Sequence, residues 1–250
     1  MKVVIIIPSR LQSTRLPEKP LAIIEGKSLI HRVYEQALLC RNADEVVVAT
    51  DHESILNHVV NLGYKAVMTD PFHVSGTDRI AEVAANIDAD VFINVQGDEP
   101  LIHPNQIDEL IDVFRDKHVQ IATQMSVIKD ENELFDYNKV KVVTDIHHKA
   151  LYFSRQAIPA HRDLPYKEWF AKTSYYKHVG IYGFRKEVLE QITLLGQGYL
   201  EQAESLEQLR WLENGFSIHC FPTDYESIGV DTPEDLQKVS TIVRMMDHGI

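Results

Sequence analysis

Three runs of the chain, VVIII at 3–7, EVVVAT at 45–50 and VFINVQ at 91–96, are apolar almost throughout and show no alternation. A strand with one wet face alternates, whereas a strand without alternation is covered on both faces. The segments between these runs carry helical spacing. After Ser28, a capping residue, Leu29, Ile30, Val33, Ala37 and Leu38 form one stripe. Ile55, Leu56, Val59 and Val60 form a second, which stops at Gly63. Residues 65–68 read as a short strand, and DRIAEVAANI as a helix starting at Thr77 or Asp78. Pro104 suits the first turn of a helix through Ile107, Leu110, Ile111 and Phe114. This rhythm predicts an α/β fold with a mostly parallel, mixed central sheet and helices on both faces.

After about residue 118 the pattern changes. QIATQMSVI, KVKVVT, ALYFSR and HVGIYGF are strand-like with few helices between them, so antiparallel pairing is expected there. Helices are expected around 188–195 and 205–213, then a last strand, FSIHCF. In VDTPEDL, Thr232 caps a helix with Pro233 at its first position and Asp235 at its third. No repeat, low-complexity tract or long linker interrupts the 250 residues, and a single domain is expected.

The formal net charge of −12 argues against a general nucleic-acid binder, which needs a broad basic face. No apolar run approaches a membrane span. The opening residues lack the basic, apolar and cleavage-site order of a signal peptide, so a cytoplasmic location is the expectation. Cys40 and Cys220 have no metal-ligand spacing and read as small buried hydrophobes. His147 and His148 fall between KVVTD and ALYF, in an expected hairpin turn, and read as solvated turn residues.

Against this acidic background the loop PSRLQSTRLPEKPL gathers Arg10, Arg15 and Lys19. It leaves the C-terminal end of a central strand, where open α/β sheets bind ligands, and so reads as an anion site. HVSGTDR occupies a similar position, and Ser75, Gly76 and Thr77 can offer backbone N–H groups at a helix start, or simply form a tight turn. QGDEP places Asp98 at the end of another central strand, and GVDTPEDL supplies Asp231, which either joins it or only caps a helix. Two carboxylates facing three cations make a site suited to a metal–triphosphate complex, Mg²⁺ being the hard cation that such oxygens hold. The P-loop, GxGxxG and GxSxG signatures are absent.

IPSRLQSTRLPEKPL, HVSGTDRIAEV, INVQGDEPLI, KVV, ALYFSR, KHVGIYGFR, ESLEQLR and GVDTPEDL stand in the same order as in the 3-deoxy-manno-octulosonate cytidylyltransferases, or CMP-Kdo synthetases, which the chain resembles over nearly its whole length. The resemblance implies a nucleotide-diphospho-sugar transferase-like fold, usually homodimeric. It also implies transfer of CMP from CTP to the eight-carbon sugar acid Kdo, with Mg²⁺, for lipopolysaccharide synthesis. The nucleotide part would lie mainly in 1–118 and the sugar-acid part mainly in 119–250. By position, Arg10, Arg15 and Lys19 would hold the triphosphate. Ser9, Ser75, Gly76, Arg79 and Gln96 would line the nucleotide pocket, and Asp98 and Asp231 would bind magnesium. Arg155, His178, Tyr182, Glu207 and Gln208 would contact the sugar acid. The residues alone leave blander readings open: His178 and Tyr182 as core, and Glu207 with Arg210 as an exposed helix pair. Other sugar acids, such as a sialic-acid relative or an amino-substituted Kdo, and a non-catalytic nucleotide-binding regulator, are the alternatives.

The chain departs from the family at Ser9, where PAR is usual, at Val74, often Gln, and at Glu18, where LPGKP is usual. If that loop needs the positive φ that glycine supplies, Glu18 holds it under roughly 1 kcal/mol of strain.

Overall fold

Strand β1 (Val3–Ser9) sits inside the sheet because both of its faces are apolar. Val3, Ile5 and Ile7 pack into one hydrophobic core, and Val4 and Ile6 into a second on the opposite face. The computed structural model describes residues 1–248 except Ser227. On either side of β1 lie β4 (Glu45–Thr50) and β6 (Val91–Asn94), both parallel to it, and β5 (Ala66–Met68) continues in parallel beyond β4. Before them in the chain, β2 (Ile23–Ile24) and β3 (Lys27–Ser28) form a separate small hairpin that the sequence reading did not foresee.

From the second half come β7 (Ile121–Val127), β8 (Lys141–Thr144), β9 (Ala150–Ser154), β10 (Tyr176–Arg185) and β11 (Ile218–Pro222). The long path of the sheet runs β11-β7-β10-β6-β1-β4-β5, with β8 joined to β10 and β9 to β8. Strand β10 is antiparallel to both β6 and β7, and the β8–β9 pair is antiparallel too, as the change of pattern after residue 118 predicts. His147 and His148 lie in the turn between β8 and β9, where Asp145 accepts the backbone N–H groups of His147 and Lys149.

Helices cover both faces. On one lie α1 (Leu29–Leu38), α2 (Glu53–Asn61) and α4 (Pro104–Asp112), through Ile30, Val33, Ile55, Val59, Ile107 and Leu110. On the other lie α3 (Gly76–Ala85), then, after the short α5 (Glu131–Phe135) and α6 (Trp169–Lys172), α7 (Lys186–Ile192), α8 (Tyr199–Glu204) and α9 (Gln208–Glu213). Ser28 caps α1, accepting the N–H of His31, and Gly63 follows the end of α2 with φ +82°. Two boundaries differ from expectation. Helix α3 starts at Gly76 because Ser75, ahead of Thr77 and Asp78, takes the capping position and accepts the Asp78 N–H at 3.1 Å. The helix expected at 205–213 begins only at Gln208, after Ser205, whose left-handed backbone (φ 52°) ends α8, a helix that the sequence reading did not foresee.

The last helix, α10 (Pro233–His248), packs Val239 and Val243 against Ile24 and Leu29 in the first half. Glu25, on the β2–β3 turn, accepts hydrogen bonds from Ser240 at 2.5 Å and Arg244 at 2.8 Å. That return brings the segment before α10 alongside the loop after β6, where the Val230 N–H donates to the Asp98 carbonyl at 2.9 Å. Cys40 and Cys220 are both buried free thiols, Cys40 donating to Asp108 at 3.0 Å. No helix among the described residues is long and apolar enough to cross a membrane.

Candidate active site

Parallel strands β1, β4 and β6 end at one edge of the sheet, so the loops that leave them meet. They enclose a cavity of about 330 Å³. Its wall includes Ser9, Arg10, Arg15, Lys19, Ser75, Gly76, Arg79, Gln96, Asp98 and Asp231, which is every residue expected at the triphosphate, nucleotide and metal positions. Only Asp231 comes from the second half of the chain.

Lys19 organises one wall. Its Nζ lies 2.7 Å from Asp98 Oδ2 and 3.0 Å from Asp231 Oδ1, while Arg15 Nη2 lies 3.0 Å from the other Asp231 oxygen. Burial alone would lower the Lys19 pKa, but Asp98 and Asp231 outweigh it and hold the group above the ordinary lysine value. Capping of α10 falls to others. Thr232 Oγ1 accepts the Asp235 N–H at 3.2 Å and Asp235 accepts the Thr232 N–H at 2.9 Å, a reciprocal box that leaves the Asp231 carboxylate to the cations.

The opposite wall is the N-terminus of α3, whose unpaired N–H groups and dipole favour an anion. It comes close to the first loop because two glycines permit it. A Cβ on Gly97 would lie 2.8 Å from the Pro8 carbonyl, and one on Gly76 would touch the Pro8 ring at 3.4 Å. Ser9 Oγ is buried in this wall without a hydrogen-bond partner. Arg79, almost fully buried, is anchored: its guanidinium donates to Thr69 Oγ1 and to Asp51 at 3.3 Å. Asp51 also accepts the Leu11 N–H at 3.1 Å, so it ties the first loop to α3. Sequence reasoning missed Asp51, although EVVVATD puts it at a strand end as QGD does Asp98. Glu18 has φ 51° and ψ 32°, the left-handed backbone that its place at a family glycine raised as a question.

None of Arg155, His178, Tyr182, Glu207 and Gln208 lines this cavity. Glu207 comes nearest: its carboxylate accepts from Thr77 Oγ1 at 2.9 Å, which ties the start of α9 to the start of α3. Burial raises the Glu207 pKa, with Ser75 and Thr77 pulling the other way. The exposed Glu207–Arg210 pair does not form. Arg210 is buried and grips Glu201 with two hydrogen bonds, at 2.6 and 2.7 Å. Gln208 is buried at the head of α9.

Arg155 is committed elsewhere. Its Nε, Nη1 and Nη2 donate to the main-chain carbonyls of Glu204, Tyr137 and Ser205 at 2.7, 3.0 and 3.2 Å. Its own carbonyl accepts at 2.5 Å from Lys141, a wholly buried lysine whose ammonium is held by three carbonyls and whose pKa burial lowers. His178 and Tyr182 lie side by side on β10, their rings tilted at 49° with centroids 5.2 Å apart. Burial pushes the His178 pKa down to about 4 and the Tyr182 phenol well above its ordinary value.

The chain matches the cytidylyltransferase family over residues 4–225. It is 48% identical to a 3-deoxy-manno-octulosonate cytidylyltransferase of Geotalea daltonii over 259 residues, covering 100% of both chains. It is also 48% identical to one of Parabacteroides distasonis, covering 95% of this chain and 96% of that protein. A solved structure of CMP:2-keto-3-deoxy-manno-octonic acid synthetase complexed with CTP superposes with a TM-score of 0.92 at 43% identity, over 98% of this chain and 100% of that one. With these matches over essentially its full length, the chain belongs to the 3-deoxy-manno-octulosonate cytidylyltransferases.

Proposed function

We propose that this protein transfers CMP from CTP to the anomeric hydroxyl of Kdo, releasing pyrophosphate and supplying the activated sugar acid for lipopolysaccharide synthesis. The observation that carries this reading is the convergence of Arg15, Lys19, Asp98 and Asp231 opposite the N-terminus of α3, in a chain whose relatives bear that activity in their names. Arg10, Arg15, Lys19 and the α3 N–H groups hold the triphosphate and offset the charge that builds on the leaving pyrophosphate. Ser9, Ser75, Gly76, Arg79 and Gln96 shape the nucleotide pocket. His178, Tyr182, Glu207 and Gln208 border the acceptor side. Arg155, its guanidinium spent on carbonyls at the α8–α9 corner, shapes that side from behind. The chain works as one domain, with the nucleotide part mainly in 1–118 and the acceptor part mainly in 119–250.

Asp98 and Asp231 fit Mg²⁺. One ammonium bridges both carboxylates at 2.7 and 3.0 Å, so they converge on a single cation position with hard oxygen donors. An ion held by these two carboxylates would take its remaining ligands from phosphate oxygens and water. Bound there, the ion would polarise the phosphates and lower the charge the acceptor must approach. Catalysis by the chain itself is positioning and charge neutralisation in an in-line displacement. A reducing cytoplasm suits the two free thiols, and a homodimer is the assembly we infer from the family.

Pyrophosphate release measured across nucleotides and sugar acids tests the reading. CTP with Kdo should give the highest kcat/KM, and a chelator should abolish turnover until magnesium is restored. Higher turnover with a sialic acid or an amino-substituted Kdo would reassign the acceptor, and none with any pair would make the protein a nucleotide-binding regulator.

A further inference from the structure

Strand β10 carries a bulge opposite β7, its register slipping between Val179 and Tyr182. A bulge breaks the local ladder, so its carbonyls need other partners. Thr123, wholly buried on β7, supplies them: its Oγ1 lies 2.7 Å from the Ile181 carbonyl and 3.0 Å from that of Val179. Gln96, from the cavity wall, donates to the Gly180 carbonyl between them at 3.3 Å. The same Thr123 oxygen lies 3.0 Å from His178 Nε2.

A threonine hydroxyl has one hydrogen and two lone pairs. Aimed at the Ile181 carbonyl, the shortest of its three contacts, that hydrogen leaves one lone pair toward His178 Nε2 and one toward the Val179 carbonyl. With a bare Nε2 the single hydrogen would serve three acceptors and leave two of them facing lone pairs; with Nε2–H it leaves one, and each such mismatch in a buried site costs on the order of 1–3 kcal/mol. Nε2 therefore carries a hydrogen. Burial keeps the imidazole neutral, its pKa pushed down to about 4, so Nδ1 is left bare. No described residue hydrogen-bonds to Nδ1.

We propose that Thr123 is a positioning residue of this enzyme, locking His178 in its Nε2–H tautomer so that Nδ1 stands ready to accept a hydrogen bond from a hydroxyl of the sugar acid. This rests on the reading of His178 as an acceptor-side residue. Thr123 does not line the cavity described above and acts only through the ring and the bulge.

Long-range ¹H–¹⁵N correlation spectra of imidazole-labelled protein report which ring nitrogen holds the hydrogen, whatever the activity. The unaltered protein should show Nε2–H at His178. Thr123→Val should lose that preference and raise KM for Kdo about tenfold, the worth of one such hydrogen bond, while KM for CTP stays within about twofold. Thr123→Ser should restore both readouts. An Nδ1–H ring in the unaltered protein overturns the proposal, as does a Thr123→Val enzyme that weakens both substrates equally. Should Thr123→Val fail to fold, the native spectrum and the Thr123→Ser variant still decide. A native enzyme that releases no pyrophosphate from CTP and Kdo would defeat the functional reading, and the spectrum would still settle the tautomer.

Discussion

Glu18 shows how one side chain can be kept where its backbone resists it. Its φ of 51° suits glycine, and a residue with a Cβ there carries roughly 1 kcal/mol of strain. Glu18→Gly should therefore stabilise the folded protein by up to about 1 kcal/mol in urea melts, less the loop entropy that glycine adds to the unfolded chain. Glu18→Gln keeps the strain and removes only the charge, so it should leave the melt unchanged and lower KM for CTP modestly, by less as salt rises. Equal melts for the two variants would mean that the left-handed backbone stores nothing. His178 makes the second prediction at this scale. Its folded pKa of about 4 lies below the unfolded value of about 6.5, so the unfolded chain takes up a proton that the folded one refuses. The stability this represents is fully present above about pH 6.5 and is lost as pH falls toward 4, on the order of 3 kcal/mol in all. His178→Gln should flatten that part of the stability–pH curve. A variant that loses stability between pH 6.5 and 4 as steeply as the native chain would contradict the burial account.

Between elements, the corner between α8 and α9 is held by side chains that grip main chain. Lys141 holds the Arg155 carbonyl, Arg155 holds carbonyls on either side of the left-handed Ser205, and the corner so fixed leads into Glu207, which bonds to Thr77 on α3. A planar guanidinium can meet three carbonyls at once, and an ammonium on a flexible stem cannot keep that geometry. Arg155→Lys should accordingly cost about 1–3 kcal/mol of stability in addition to raising KM for Kdo, with KM for CTP little changed. A rise in KM for Kdo at unchanged stability would instead make Arg155 a direct reader of the acceptor carboxylate. Element boundaries taught a similar lesson. The helix start at Ser75 was ambiguous among three neighbouring capping residues, and the break at Ser205 carried no glycine to announce it. Both were decided by which side-chain oxygen or backbone the packed structure could satisfy.

Across the whole molecule, the sheet was legible because unalternating runs such as VVIII allow only a strand with two buried faces, and β1 does divide its side chains between two cores. The cavity was legible in part for a related reason: ligand-binding loops follow from where parallel strands end, so PSR, SGT and QGD share one edge of the sheet. The acceptor side was less so. Whether Arg155 faces a ligand or three carbonyls, and whether Arg210 pairs with Glu207 or with Glu201, depends on the turn at Ser205, which spacing in the sequence does not reveal. Asp231 joins Asp98 only because α10 folds back across the β2–β3 hairpin and sets Val230 against the Asp98 carbonyl. The two halves thus meet at Lys19, which donates to both Asp98 and Asp231. The most direct test is ³¹P NMR of the protein with CTP, Kdo and magnesium. Equal growth of a phosphodiester resonance and of pyrophosphate, at the expense of CTP, is the predicted result; unchanged CTP, or CMP and pyrophosphate with no phosphodiester, would contradict it.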